Sequence, residues 1–324
     1  MRTVFLGTSR FAATVLESLA GEGVEEGTGG GAHCPALVLT RPDRPAGRGR
    51  KLSSPPVAET ARALGLEVAQ PESVNDDATR ALVAGVAPVA VLVCAFGALI
   101  REPLLSDFQM LNVHPSLLPR WRGAAPVERS IMAGDEHTGV SIMRLTAGLD
   151  SGPVCLAERE PILRGDTYGS LAERLATLGG RLLLQALDTL QAGRPLEFVE
   201  QDERPVTYAE KIGPEDRLLD PSRQAAELER AVRALSPHIG ARVVLSDGTL
   251  LGVKRVVLAE AGAPAGGGVP AGEKVPAGAG VYTSGERLLL ACTPGVLELL
   301  VVQPPGKRPM DAAAFLRGHG LPGA

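Results

Sequence analysis

The apolar positions of the chain change their period along its length. In the first part, short apolar runs alternate with amphipathic stretches. Strands are predicted at residues 3–6, 36–40, 89–94, 111–114 and 140–145, and helices at 11–19, 56–64, 76–84, 124–133 and 168–192. Such alternation implies an α/β fold with a parallel sheet, and chemistry outside the carboxyl ends of its strands. After residue 206 the pattern becomes short strands, at 241–245, 249–258, 280–283, 287–291 and 296–303, behind one helix at 225–235. With turn signals such as Asp247-Gly248, these suggest a small β-barrel. Between the two regions lies GRPLEFVEQDERPV (193–206), polar and holding Pro195 and Pro205, which reads as an interdomain linker. The Gly/Pro/Ala-rich stretch 259–280 reads as a mobile loop.

Composition narrows the classes. A length of 324 residues suits two domains, and 44% hydrophobic with 22% charged residues is ordinary for a globular protein with a sizeable core. The net charge of -4 argues against attachment to nucleic acid through the overall field, but leaves room for a local basic patch. Aromatic residues, at 3%, are too few for a single-strand stacking platform. Cys34, Cys94, Cys155 and Cys292 are scattered and form no CxxC pair, so they read as core thiols of a reducing compartment, with no metal site. The run ending at Gly7 is too short for a signal peptide, and no later run reaches a membrane-spanning length. A cytoplasmic protein is expected.

The candidate chemistry sits in LNVHPSLLPRWRGAAP (111–126). Asn112 and His114 are two apart on a strand and so share a face. Pro115 keeps His114 extended at the strand's end. There an amide NH₂ can donate to a developing oxyanion, and an imidazole can move a proton near neutral pH. Asp150, in the turn AGLDSG, is the candidate carboxylate to support the imidazole. On these residues alone, a satisfied core or loop histidine and a plain turn aspartate remain open readings. His33, His238 and His319 lie in loop-like contexts, and His137 in a polar turn.

The loop RPDRPAGRGRK (41–51) carries Arg41, Arg44, Arg48, Arg50 and Lys51 against one acid, Asp43. Its glycines and prolines make it a poor helix or strand. Its position after the second strand suits either a solvated charged loop or a phosphate-reaching one.

The segments NVHPSLLPRWRGAAP and GVSIMRLTAGLDSG strongly resemble the 10-formyltetrahydrofolate-dependent formyltransferases. FLGTSRFAA, TRPDRPAGRGRKL, VCAFGALI, VTYAEKI and QPPGKRPM extend the resemblance over nearly the whole length. The resemblance implies a Rossmann-like catalytic domain over 1–192, the linker 193–206, and an OB-like C-terminal domain over 207–324 that contacts tRNA. It implies transfer of formyl from 10-formyltetrahydrofolate to the methionine amine of initiator methionyl-tRNA, by a monomer without metal. Asn112, His114 and Asp150 fall on the catalytic positions. Ser116, Leu117, Leu118 and Pro119 fall on the folate-binding turn, and Phe96, Gly97 and Leu99 on the wall of the pterin pocket. Arg48 falls on the critical arginine of a loop that enters the acceptor stem, with Arg44, Arg50 and Lys51 beside it. Lys307 and Arg308, in a turn of the barrel, are a second expected tRNA contact.

The chain departs from the family pattern at TSRF, where a proline–aspartate pair is usual, in the glycine-rich stretch 21–35, and at SPHIGA, where a tryptophan segment is common. A nicotinamide enzyme fits poorly: GTSRFA lacks GxGxxG, and Thr40-Arg41 stands where an acid is needed. Transfer to another amine, or hydrolysis of the folate, uses the same HPSLLP and LDSG motifs and is the nearer rival. A non-catalytic tRNA binder would leave Asn112, His114 and Asp150 unexplained.

Overall fold

Three five-residue strands, Thr3–Gly7, Ala90–Cys94 and Met110–His114, are buried at every position. Continuous apolar runs of this kind belong in the middle of a sheet covered on both faces. The computed structural model of the chain describes residues 1–21, 33–46, 51–261, 268–269 and 280–319. In it these strands are the centre of a seven-stranded sheet. Leu37–Leu39 and Val68–Ala69 extend the sheet on one side, all in parallel. On the other side His137–Arg144 pairs antiparallel with Met110–His114, and Val154–Pro161 pairs antiparallel with it in turn. The parallel sheet of the sequence reading is thus present over five strands and continues into two more. The edge strand Val154–Pro161 was not expected. It carries Glu158, Arg159 and Glu160, and charge of this kind protects a sheet edge from pairing with another chain.

The helix Arg10–Ala20 starts where Ser9 caps it, its hydroxyl accepting from Ala12 N at 3.3 Å. Gly7 precedes it because a side chain there would stand 2.6 Å from the Phe5 ring and 2.9 Å from Ala12 Cβ. One core cluster fills the face of the sheet carrying Val4, Leu6, Leu37, Leu39, Val91 and Val93, with Phe96, Ile100 and Leu104 from the following loop and helix.

The C-terminal strands form an antiparallel sheet in the order Ala241–Val244, Leu250–Leu258, Val296–Gln303, Arg287–Ala291, Val281–Ser284. Met310–Asp311 also pairs with Val296–Gln303. Register shifts at Val253/Arg255 and Arg255/Val256 bend the long second strand, as bulges do. The helix Ala225–Ala234 lays Leu228, Ala231 and Val232 against Leu251, Val253, Leu290, Leu297 and Leu299. The result is a curled, OB-like half-barrel. His319, expected in a loop, lies in the last turn of the helix Ala312–His319.

The chain forms two compact units that interleave in sequence. One comprises Met1–Pro126, His137–Pro161 and Ala172–Ala209; the other comprises Val127–Glu136, Ile162–Leu171 and Glu210–Ala324. The excursion Val127–Glu136 joins the second unit through Arg129, which forks onto Asp216 at 2.7 and 2.9 Å, and Glu128, 2.9 Å from His238. The division expected from the sequence, 1–192, 193–206 and 207–324, differs from these units at Val127–Glu136 and Ile162–Leu171. The stretch 193–206 packs on the first unit, because its polar groups and backbone are taken up there: Val199 bridges Val154, Gln201 reaches Asp150, and Glu203 pairs with Arg122. Part of the Gly/Pro/Ala-rich stretch 259–280 and most of 21–35 lie outside the described residues. Among the described residues no helix is long and apolar enough to cross a membrane.

Candidate active site

Asn112 and His114 stand at the carboxyl end of their strand, 8% and 4% exposed. Asn112 lies between Val93 and Met143, and His114 beside Ser141. The loop that follows folds back on this strand end. Ser116 N donates to His114 O at 2.9 Å, and Ser116 Oγ donates to Arg120 O at 2.6 Å. Ser141, wholly buried, fixes the same loop twice: its hydroxyl donates to Ser116 O at 2.8 Å and accepts from Leu118 N at 3.2 Å.

This folding presents the Trp121 carbonyl to His114 Nε2 at 2.9 Å. A carbonyl only accepts, so Nε2 carries the proton of the neutral ring and Nδ1 has the free lone pair. Nδ1 faces Asp150 Oδ2 at 3.7 Å, with Asp150 14% exposed. The same Oδ2 accepts from Gly123 N at 2.8 Å. Asp150 has a φ of 45°, in the left-handed region that a non-glycine residue enters at a cost. A second proton arriving on Nδ1 would meet this carboxylate.

Asn112, His114 and Asp150 share a cleft of about 510 Å³ with Phe96, Gly97 and Leu99. Phe96, Ile100 and Leu145 make part of its wall apolar, while the amide, imidazole and carboxylate supply a convergent polar group. The wall is itself tethered. Thr8 Oγ1 donates to Phe96 O at 2.7 Å, and Asn75 donates to Leu99 O and accepts from Arg101 N at 2.9 and 2.8 Å. Leu99 is 65% exposed at the mouth. Cys94, at the end of the neighbouring strand, is no competing nucleophile: burial pushes its thiol far up.

The turn of Ser116, Leu117, Leu118 and Pro119 is not among the residues lining this cleft. Its polar atoms are spent on holding the loop, and Leu117 packs where a side chain on Gly139 would otherwise stand. The residues that sequence reasoning missed are Arg122, Ser141, Gln201 and Glu203. Arg122 is 3% exposed, and its guanidinium donates to Gln201 Oε1 at 3.0 Å and to both Glu203 oxygens at 3.2 and 2.7 Å. The bonds to Glu203 push Arg122 up, and in turn they hold the Glu203 carboxyl below the usual carboxylate range. No local pattern signals this pairing, since its partners are about eighty residues apart.

The base of the basic loop has regular structure that its composition does not suggest. Arg44–Ala46 and Lys51–Ser53 pair as a short antiparallel hairpin, with the Arg44 side chain exposed. Arg48 and Arg50 lie outside the described residues. Asp43, the loop's acid, accepts from Gln70 at 2.7 Å and Ser54 at 2.9 Å; these bonds, Gln70's first, lower its carboxyl. In the second unit, Lys307 and Arg308 are exposed in the turn after Val296–Gln303, where Lys307 N donates to Pro304 O at 3.1 Å.

Residues 1–187 match the formyl transferase family, and 211–320 match the formyl transferase C-terminal domain. The chain belongs to the formyl transferase family. This formyltransferase is 41% identical over 325 residues to the methionyl-tRNA formyltransferase of Methylococcus capsulatus, covering 100% of this chain and 98% of the relative. It is 42% identical over 320 residues to that of Acidithiobacillus ferrooxidans, covering 98% and 96%. Among solved structures, its fold is similar to HypX from Aquifex aeolicus in complex with tetrahydrofolic acid, with a TM-score of 0.63 and 17% identity; the match covers 100% of this chain and 48% of HypX. It is also similar to the N-formyltransferase of Helicobacter canadensis in complex with folinic acid and dTDP-3-aminofucose, with a TM-score of 0.59 and 14% identity over 92% of this chain and 98% of that one.

Proposed function

We propose that this formyltransferase moves the formyl group of 10-formyltetrahydrofolate to the methionine amine of initiator methionyl-tRNA, giving N-formylmethionyl-tRNA for translation initiation. The observation that carries the reading is the convergence of Asn112, His114 and Asp150 in one cleft of a chain whose full-length relatives are methionyl-tRNA formyltransferases. The cleft suits the donor: Phe96 and Ile100 offer apolar contact to a flat ring system, beside polar groups at the strand end. Phe96, Gly97 and Leu99 form the pterin-facing wall in this reading, and the Ser116–Pro119 turn supports the donor's site by shaping the loop.

The chemistry follows from the groups present. The methionyl nitrogen attacks the formyl carbon, the carbonyl oxygen takes up the electron pair, and the bond from carbon to the folate nitrogen N10 then breaks. The amine loses a proton and N10 gains one, so the transfer is neutral overall. Asn112 donates its NH₂ to the developing oxyanion. His114 carries a proton between the two nitrogens, and Asp150, 3.7 Å from Nδ1, stabilises the charged ring. At that separation one water or one amine hydrogen can be shared by both groups from beside the line joining them.

Arg44, Arg48, Arg50 and Lys51 contact the tRNA in this reading, with Lys307 and Arg308 as a second contact. The enzyme acts in the cytoplasm, as a monomer. The deciding assay supplies charged initiator tRNA and 10-formyltetrahydrofolate. Formylmethionyl-tRNA is the expected product; release of formate, or formyl transfer only to another amine, would replace the reading. Asn112→Ala, His114→Ala and Asp150→Ala should each lower kcat by about 10²–10⁴-fold with an unchanged circular dichroism spectrum. Arg48→Ala and Lys307→Ala should weaken tRNA binding and flatten its dependence on salt, read by filter binding at several salt concentrations.

A further inference from the structure

We infer that Gln201 is a positioning residue for the transfer: its side-chain amide joins the turn carrying Asp150 to the loop carrying Trp121 and Gly123, and so sets the carboxylate against the imidazole. The inference rests on the catalytic role proposed above for Asp150. Gln201 Nε2 donates to Asp150 O at 2.8 Å and to Gly152 O at 2.7 Å, while Oε1 accepts from Arg122 Nε at 3.0 Å. Both ends of the amide are therefore used, each on a different loop.

These two loops bracket His114. One presents the Trp121 carbonyl to Nε2, and the other presents the Asp150 carboxylate to Nδ1. The direct tie between them at the site is Gly123 N to Asp150 Oδ2, and Gly123 is the neighbour of Arg122. Gln201 thus spans the separation that decides where Asp150 stands. It matters more because Asp150 is held at a φ of 45°, a conformation that its surroundings must enforce.

Gln201 is fixed in its own right by the segment on which it lies. Val199 exchanges backbone bonds of 2.9 Å in both directions with Val154. Thr207 accepts from Trp121 N through its hydroxyl and from Arg122 N through its carbonyl, both at 2.9 Å. Ala209 O accepts from Ala124 N at 2.8 Å. The segment forms a strap that fastens both loops, and the Gln201 side chain hydrogen-bonds to both.

The test measures kcat, both KM values and the pH profile of kcat for Gln201→Met and Gln201→Glu, with each change repeated in the Asp150→Asn background. Methionine keeps the length and removes all three bonds. Glutamate keeps the acceptor for Arg122 and sets an anion against two carbonyl oxygens, so it serves if the methionine variant does not fold. Either change should lower kcat by about 10- to 100-fold and shift the pH profile, with both KM values within about threefold. In the Asp150→Asn enzyme the same change should cost less than about threefold, because the group it positions is already gone. An unchanged kcat, an unshifted pH profile, or equal losses in both backgrounds would overturn the inference while leaving the role of Asp150 in place. Full activity of Asp150→Asn itself would remove the catalytic reading, and the inference with it.

Discussion

Among the described residues, positive φ angles outside glycine occur at Ala87, Ala95, Trp121 and Asp150. Ala95 and Asp150 line the cleft, and Trp121 supplies the carbonyl that holds His114. Each such residue costs on the order of 1–3 kcal/mol, so the surrounding bonds are what keep the site in shape. Gly152 shows how little room they leave. A Cβ there would stand 2.0 Å from the Arg144 carbonyl, which is backbone and cannot swing away. Gly152→Ala should cost about 1–3 kcal/mol in thermal unfolding and lower kcat as well, since the Gly152 carbonyl accepts from Gln201. At this scale the sequence was half legible. The period of two placed Asn112 and His114 on one face. Asp150 was found through its turn AGLDSG, though not the left-handed φ that aims it, while Gln201 depends on a contact 51 residues away, which leaves no local trace.

The long helix Tyr168–Gln191 packs closely against the strand Met110–His114. Gly179 and Gly180 interrupt Tyr168–Gln191, where each glycine costs about 1 kcal/mol relative to alanine in an open helix. Packing explains them: a Cβ on Gly179 would lie 2.8 Å from Val113 Cγ1, and one on Gly180 would lie 2.4 Å from Ser18 Oγ. Gly179→Val should press on Val113, between Asn112 and His114, and lower both melting temperature and kcat. A variant with full activity at an unchanged melting temperature would show that the helix can back away. Elements buried on both faces were read correctly because their apolar runs are unbroken. The edge strand Val154–Pro161 escaped because charge interrupts it, and the hairpin Arg44–Ala46 with Lys51–Ser53 because glycine, proline and arginine dominate its composition.

Over the whole molecule, two units alternate along one chain, and each adds polar ties to its apolar core. In the second unit, Arg129 forks onto Asp216, and this bond holds the Asp216 carboxyl below the usual carboxylate range. A lowered folded-state pKa means stability that is present above the unfolded value and lost as the pH falls through the folded one. Asp216→Asn should therefore melt earlier than the parent at pH 7, by about 1–3 kcal/mol. The gap should narrow once the pH falls below about 4, where the unfolded chain's carboxyl begins to take up its proton before the folded one does. A gap that stays constant down to pH 3 would assign the loss to packing. The interleaving was hidden from sequence reading because the partners that draw Val127–Glu136 into the second unit, Asp216 and His238, lie far along the chain.

The strap from Val199 to Ala209 is the last stretch of the first unit in chain order. It also lies beyond the residues matched by the family's N-terminal region, which end at 187. On the ribosome, Asn112, His114 and Asp150 all emerge well before the segment that fastens their loops. The frame around Asn112, His114 and Asp150 is therefore completed only once the strap has been made and can fold back, and a nascent chain paused before Ala209 holds the three proposed site residues without the bonds that fasten their loops.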